Sequence, residues 1–157
     1  MLVVDDDASV REVLTKILQT VGMQVLAAEN GMRAVDLVDG AGREVAVVDL
    51  MMPGMTGIET ARKLKEFDDQ LEVIILTGKP TLESALEAHH EHVFDYLTKP
   101  IHNDSLIRSV KRAAERRRLI LENLDLIKQH EKERDGLKKE VAAVKDFLAP
   151  LDSTSDY

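Results

Sequence analysis

The sequence predicts an α/β doubly wound domain, a five-stranded parallel sheet covered by helices on both faces, followed by a long C-terminal helical extension. Five short apolar runs alternate with segments of helical spacing. The middle runs, Val45-Ala46-Val47-Val48 and Val73-Ile74-Ile75-Leu76, are apolar throughout instead of alternating, as a parallel sheet buried on both faces requires. From Lys111 the composition turns to Arg, Lys, Glu and Leu, with no proline before Pro150. A chain of 157 residues has room for one globular unit and an appendage.

The first run, residues 1–4, is short, and Ser9 with Glu12 forms a capping box that opens a helix. Val10, Val13, Leu14, Ile17, Leu18 and Val21 share one face of that helix, and Gly22 closes it in the left-handed conformation. Residues 25–28 read as the second strand and Asn30-Gly31 as a turn. A short helix over 32–38 leads to the third strand, which ends at Asp49. Beyond the Met51-Met52-Pro53-Gly54 loop, Ile58, Ala61 and Leu64 have helical spacing. The fourth strand covers 73–76, a helix follows over 81–91, and the fifth strand covers 94–97. Asn103 or Asp104 then caps a last helix through Leu106, Ile107 and Val110.

A net charge of −8 speaks against nucleic-acid binding driven by overall charge, and three Phe, two Tyr and no Trp leave few rings for stacking bases. The absence of cysteine excludes disulfides, thiolate zinc sites and a cysteine nucleophile, and suits a reducing cytosol. No apolar run is long enough to span a bilayer or to resemble a secretory signal. A cytoplasmic protein that engages neither membrane nor nucleic acid is the expectation.

Ligands of a doubly wound sheet bind outside the carboxyl ends of its strands. Just beyond strands one, three, four and five stand Asp5, Asp6, Asp49, Thr77 and Lys99. Carboxylates meeting there would repel one another by roughly 4 kcal/mol per pair at about 4 Å and an effective dielectric near 20, so positive charge must join them. Oxygen-only ligands suit Mg²⁺, which prefers one or two carboxylates together with a phosphate, and the Lys99 ammonium offsets more of the charge. In that setting the Asp49 carboxylate attacks a phosphoryl group in line, and the Thr77 hydroxyl hydrogen-bonds one of its oxygens. Singly, each of these residues has a plain role as a cap or in the core, and Asp7 has only that. Their joint occurrence at the ends of four βα units points to a site.

The segments Val3-Val4-Asp5-Asp6-Asp7, Val48-Asp49-Leu50-Met51-Met52-Pro53-Gly54, Leu76-Thr77-Gly78 and Tyr96-Leu97-Thr98-Lys99-Pro100 resemble those of the receiver domain of bacterial two-component response regulators, over residues 1–115. The resemblance implies a flavodoxin-like fold and phosphorylation of Asp49 by a sensor histidine kinase, a phosphotransfer protein or a small phosphodonor. It implies direct ligation of Mg²⁺ by Asp6, Asp49 and the Met51 backbone carbonyl, with Asp5 acting largely through water. A switch is implied as well, in which Thr77 moves toward the phosphoryl group, Tyr96 turns inward, and the face made by the fourth helix, fifth strand and fifth helix is re-formed. The Lys99-Pro100 peptide is implied to be cis. Taken from the residue alone, Tyr96 fits plain packing as well as a moving switch.

The chain departs from that pattern in three places. Only four residues precede the acidic pair, where strand one of the family begins earlier. His92 stands where the family favours Gly before the fifth strand, and must accept a positive φ or reshape the turn, which bears on the output face. Gly78 follows Thr77 where the family often has Ala; the missing methyl eases water's approach to an acyl phosphate and predicts a short-lived phosphorylated state. His89, His90 and His92 read as solvated residues at a helix end rather than as a metal site.

Residues 116–149 read as a continuation of the fifth helix, projecting tens of ångströms at about 1.5 Å per residue, and residues 150–157 as a polar tail. Val110, Ala113, Arg117, Ile120, Leu124 and Ile127 follow 3-4 spacing. Leu137, Val141, Val144 and Leu148 resume it in a shifted frame after a charged, Gly136-containing stretch. This predicts an interrupted coiled coil and a homodimer through the C-terminal helix; the plainer alternative is a solvated helix folded back on its own domain. The Arg116-Arg117-Arg118 run reads as an exposed face and not as a DNA contact.

The function predicted is a phosphoacceptor signalling switch, phosphorylated on Asp49 with Mg²⁺ and signalling through the face of the fourth helix, fifth strand and fifth helix and through the C-terminal helix. It is no enzyme beyond promoting its own phosphorylation and dephosphorylation. A haloacid-dehalogenase-like phosphatase is one alternative, but it expects a second Asp two residues after the nucleophile, where this chain has Met51. A scaffold that binds partners without phosphate is the other, disfavoured because no member of the acceptor set is missing.

Overall fold

Strands and helices alternate along the chain as β1 Leu2–Val4, α1 Ala8–Thr20, β2 Leu26–Ala28, α2 Gly31–Val38, β3 Val45–Asp49, α3 Gly57–Phe67, β4 Glu72–Thr77, α4 Leu82–His90, β5 Asp95–Thr98 and α5 Asn103–Asp152. The structure is a computed structural model and describes residues 1–38 and 42–152. All strand pairs are parallel, in the flavodoxin-like order β2-β1-β3-β4-β5.

The unbroken apolar strands are explained by two cores, one on each face of the sheet. Val4, Val48 and Ile75 lie side by side in register and join Ala34 and Val38 of α2, Ile58, Ala61 and Leu64 of α3, and Ala88 of α4. Their neighbours Val3, Val47 and Ile74 point the other way, into Leu14 and Leu18 of α1 and Leu106, Val110 and Ala113 of α5. Each fully buried side chain of this size contributes about 1.5–3 kcal/mol. β4 reaches back to Glu72, which no apolar pattern would include; its carboxylate is buried and lies 3.5 Å from Arg116 Nε.

Helix ends refine the expectations. α1 is capped by Asp7 and not by a Ser9–Glu12 box: Asp7 Oδ1 accepts the Ser9 and Val10 N–H groups at 2.8 and 3.2 Å. A carboxylate reaching two amides outcompetes a hydroxyl, and Glu12 pairs instead with Lys16 at 2.9 Å. Asn30 does more than turn the chain, since its Oδ1 accepts the Arg33 N–H and caps α2. α5 begins at Asn103, with the His102 carbonyl accepting the Ser105 and Leu106 N–H groups, so the cap position falls one residue before those expected.

α1 and α4 close with the same pair of backbone bonds. After α1, Gly22 (φ 82) donates to Gln19 and Met23 to Leu18; after α4, His92 (φ 54) donates to His89 and Val93 to Ala88. The left-handed position is free for glycine and strained for histidine. His92→Gly is therefore expected to raise the unfolding free energy by about 1 kcal/mol, read as a higher urea midpoint at unchanged slope. A lowered midpoint would contradict the strain.

The first positions of the expected coiled-coil seam prove to be intrachain. Val110 and Ala113 are buried in the α1 side core, and Arg117, 8% exposed, pairs with Asp68 Oδ2 at 2.7 Å. Of the arginine run, Arg117 is buried while Arg116 and Arg118 lie exposed as expected; Arg116 pairs with Glu72 and stands 5.8 Å from the Phe94 ring centroid, and Arg118 pairs with Glu115 at 2.6 Å. Burial works against the Asp68 carboxylate, but Arg117 and the Gln70 amide outweigh it and lower its pKa. That contribution to stability holds above the ordinary aspartate range and is lost as pH falls through the lowered value.

α5 is continuous through Gly136 and past Pro150 to Asp152, so helix enters the segment expected as a tail; residues 153–157 lie outside the described residues. Packing divides the chain after Arg118, into Met1–Arg118 and a second unit starting at Leu119. Among the described residues no helix is long and apolar enough to cross a membrane.

Candidate functional site

Parallel pairing brings the carboxyl ends of the strands to one edge of the sheet: Val4 pairs with Val48, Asp49 with Leu76 and Thr77 with Thr98. The residues that end or follow these strands therefore meet. Lys99 Nζ lies 3.1 Å from Asp5 Oδ2 and 2.8 Å from Asp49 Oδ1. Asp5, Asp6 and Asp49 each offer a carboxylate oxygen within 4.8 Å of the others.

The three carboxylates are not equivalent. Asp5 is 1% exposed and both its oxygens are engaged, Oδ2 by Lys99 and Oδ1 by the Asp7 N–H at 2.9 Å. Asp6 is exposed. Asp49 is buried, yet its Oδ2 has no protein donor among the described residues. Burial raises the Asp49 pKa; the Lys99 hydrogen bond opposes this, and the charges of Asp5 and Asp6 add to the rise. For Lys99 burial acts against the charged form, but the bonds to Asp49 and Asp5 overcome it and raise its pKa. An all-oxygen cluster with one undonated oxygen and one exposed carboxylate fits a hard divalent cation such as Mg²⁺.

Backbone bonds hold these groups in place. The Asp5 N–H donates to the Ala28 carbonyl at 3.2 Å, and the Arg11 guanidinium donates to the Asp5 carbonyl at 2.7 Å. The Leu50 N–H donates to Leu76 at 2.8 Å and the Lys99 N–H to Thr77 at 2.7 Å, tying β3 and β5 to the end of β4. The Lys99-Pro100 peptide is cis. α3 starts directly under Asp49: the Gly57 N–H donates to the Leu50 carbonyl at 2.9 Å, and a Cβ on Gly57 would collide with the Asp49 carbonyl oxygen and sit 2.8 Å from Leu50 Cα. Only glycine permits this approach.

Of the residues singled out in the sequence, Asp5, Asp6, Asp49 and Lys99 are brought together. Thr77 is buried at the end of β4, where its Oγ1 accepts the Lys79 N–H at 3.0 Å. Met51 is 63% exposed in the loop after β3. Tyr96 is half-buried against the α2–α4 core, and its hydroxyl lies 2.6 Å from Ser84 Oγ, which also belongs to the α4 capping box with Thr81. Sequence reasoning missed Gly57, Arg11 and Ser84. The Thr56-x-x-Glu59 capping box was legible and places Gly57 at the first helical position; nothing local signals the other two.

The response regulator receiver domain family matches residues 1–111. The C4-dicarboxylate transport transcriptional regulatory protein DctD of Pseudomonas aeruginosa is 38% identical over 138 residues, 83% of this chain and 29% of that protein. The DNA-binding transcriptional regulator NtrC of Escherichia coli is 36% identical over 111 residues, 71% of this chain and 24% of that protein. This chain thus spans under a third of the length of these curated relatives. A crystal structure of a response regulator receiver domain protein from Clostridium thermocellum superposes with a TM-score of 0.72 at 29% identity, covering 76% of this chain and 96% of that one.

Proposed function

From the premise that the chain belongs to the response regulator receiver domain family, we propose that it is a phosphoacceptor switch whose acceptor is Asp49. Receiver domains are signalling modules and not classical enzymes. The observation that carries the reading is the Lys99 ammonium held between Asp5 and Asp49 beside an exposed Asp6.

The phosphodonor is a sensor histidine kinase or a phosphotransfer protein. The undonated Oδ2 of Asp49 forms the new bond to phosphorus as the bond from phosphorus to the donor breaks, and the electron pair leaves with the donor. Lys99 stays on Oδ1 and offsets the added negative charge. Thr77 Oγ1 accepts from the Lys79 amide, which leaves its own hydrogen to donate to a phosphoryl oxygen. Asp6, Asp49 and the Met51 carbonyl, with Asp5 through water, would hold Mg²⁺, which when bound supplies positive charge against the phosphoryl oxygens. Thr77 and Tyr96 pass the change to the face of α4, β5 and α5, where the Ser84–Tyr96 bond is the contact to be exchanged.

Residues 1–115 act as the receiver and 116–149 as an extended helix that, beyond Arg118, forms a homodimer by coiled coil, all in the cytoplasm. The −8 net charge keeps nucleic acid out of this reading, although relatives of which the chain spans under a third are named as DNA-binding and transcriptional regulators.

Incubation with a small acyl phosphate and Mg²⁺ tests the reading. Expected is slow labelling of about one phosphoryl group per chain, lost with chelator and in Asp49→Asn. Turnover of many phosphoesters would indicate a phosphatase instead, and no Mg²⁺-dependent label would indicate a phosphate-independent scaffold. Gly78 sets a second expectation. A Cβ there meets only Lys99 Cβ, at 4.0 Å, so Gly78→Ala fits. Its methyl is expected to lengthen the phosphoryl lifetime by roughly threefold by hindering water; a wild-type half-life already of hours would contradict the short-lived state.

A further inference from the structure

Past Arg118, all described side chains of α5 are exposed except half-buried Ile120. Leu137, Val141, Val144 and Leu148 are 62, 54, 57 and 46% exposed, on a helix that is continuous through them. Water is a poor solvent for such a row. We propose that residues 133–148 pair with the same segment of a second copy, parallel and in register, and that Glu133 and Glu140 of each copy select this arrangement by pairing with Lys138 and Lys145 of the other. The proposal rests on the dimer reading above and goes beyond it by fixing orientation, register and the residues that choose them.

Charges of opposite sign flank the two sides of the apolar seam. In a heptad written abcdefg, Leu137 and Val144 take d while Val141 and Leu148 take a. Glu133 and Glu140 then both fall at g, and Lys138 and Lys145 both at e. One flank of the stripe is acidic and the other basic. In a parallel pair each g meets the following e of the partner, which sets acid against base at every crossing. An antiparallel pairing of this segment with itself sets g against g and e against e, acid on acid and base on base, which is repulsive throughout. Among the described residues none of the four charges has an ion partner in its own chain.

Two features look adverse; the first is harmless in this frame, and the second lowers stability at one end of the seam without changing the register. Gly136 falls at c, on the outer face, where an added Cβ would meet nothing within 4 Å. Arg134 begins the seam at a, where its aliphatic stem covers apolar surface while its guanidinium stays 3.8 Å from Asp135.

The test uses the full chain. Two double variants, Glu133→Lys with Glu140→Lys and Lys138→Glu with Lys145→Glu, each turn every crossing repulsive, whereas an equimolar mixture restores opposite charges. Sedimentation velocity is expected to show a wild-type dimer, at least about tenfold weaker association of each double variant alone, and a dimer again on mixing, with helical circular dichroism confirming that the variants fold. Since the chain has no cysteine, Leu137→Cys and Val144→Cys add single thiols, and both are expected to crosslink to their twins under mild oxidation. An antiparallel pair can bring only one position opposite itself. A monomeric wild type would overturn the dimer reading and this proposal together. A wild-type dimer whose charge variants associate unchanged, or in which only one or neither thiol crosslinks, would overturn orientation and register while leaving the dimer standing.

Discussion

Lys99→Met is expected to lower the stability of the metal-free protein by about 3 kcal/mol near neutral pH, because it strands two buried carboxylates that share one ammonium. Among the described residues Asp5 would retain only the Asp7 amide, and Asp49 would be left without a donor. Methionine keeps most of the side-chain volume, so the loss reports charge and not packing. The pH dependence separates this cause from simple disruption. Burial already raises the Asp49 pKa against the pull of Lys99, and removing the ammonium raises it further. A raised carboxyl pKa gives a contribution that is fully present below the ordinary aspartate value and is lost as pH rises through the folded one. The deficit of the variant should therefore shrink as pH falls from neutrality through the raised Asp49 value toward the ordinary aspartate range, measured as urea midpoints at the two ends of that window. Saturating Mg²⁺ should also recover part of it by mass action. An equal deficit at both pH values, or none at either, would contradict the shared-ammonium account.

Asp49→Asn is expected to abolish phosphoryl labelling and, in metal-free buffer, to raise stability by about 1 kcal/mol, or roughly 4 °C in Tm. The ionised Asp49 is held against burial and against the charges of Asp5 and Asp6, with Lys99 favouring it. Asparagine preserves the shape and an oxygen for Lys99 while removing the repulsion. By the same sign rule the gain is full above the raised Asp49 value, fades as pH falls through it, and is gone below the ordinary aspartate range, where Asp49 is protonated both folded and unfolded. Mg²⁺ should stabilise the variant less than the wild type, since one of the carboxylates is gone. A lower melting temperature in metal-free buffer near neutral pH would show that crowding of like charge is not what limits stability here.

Much of the site was legible because its chemistry sits at strand ends, and strand ends are marked by where apolar runs stop. Val45-Ala46-Val47-Val48 ends at Asp49, and Val73-Ile74-Ile75-Leu76 at Thr77; parallel order then brings Asp5 and Lys99 to the same edge. Less was legible where several local signals competed. Both Asp7 and Ser9 are good caps, and only the reach of the Asp7 carboxylate to two amides decides between them. Gly57 carries no sign in the sequence that it must admit the Asp49 carbonyl, and Arg11 none that it will hold the Asp5 carbonyl, because both contacts join different elements.

The order of strands and helices, and the placing of Asp5, Asp6, Asp49 and Lys99 at one edge of the sheet, follow from the sequence alone, because they rest on local periodicity and on where apolar runs stop; that His92 takes the left-handed position instead of reshaping the turn was decided only by the structure. What covers an apolar face was decided only by tertiary structure. Val110, Ala113 and Arg117 have the same 3-4 spacing as Ile120, Leu124 and Ile127, yet the first three are taken up by their own sheet and by Asp68. Spacing states that a stripe must be buried and is silent on the surface that buries it, since helical periodicity is a property of one segment and burial is a property of two.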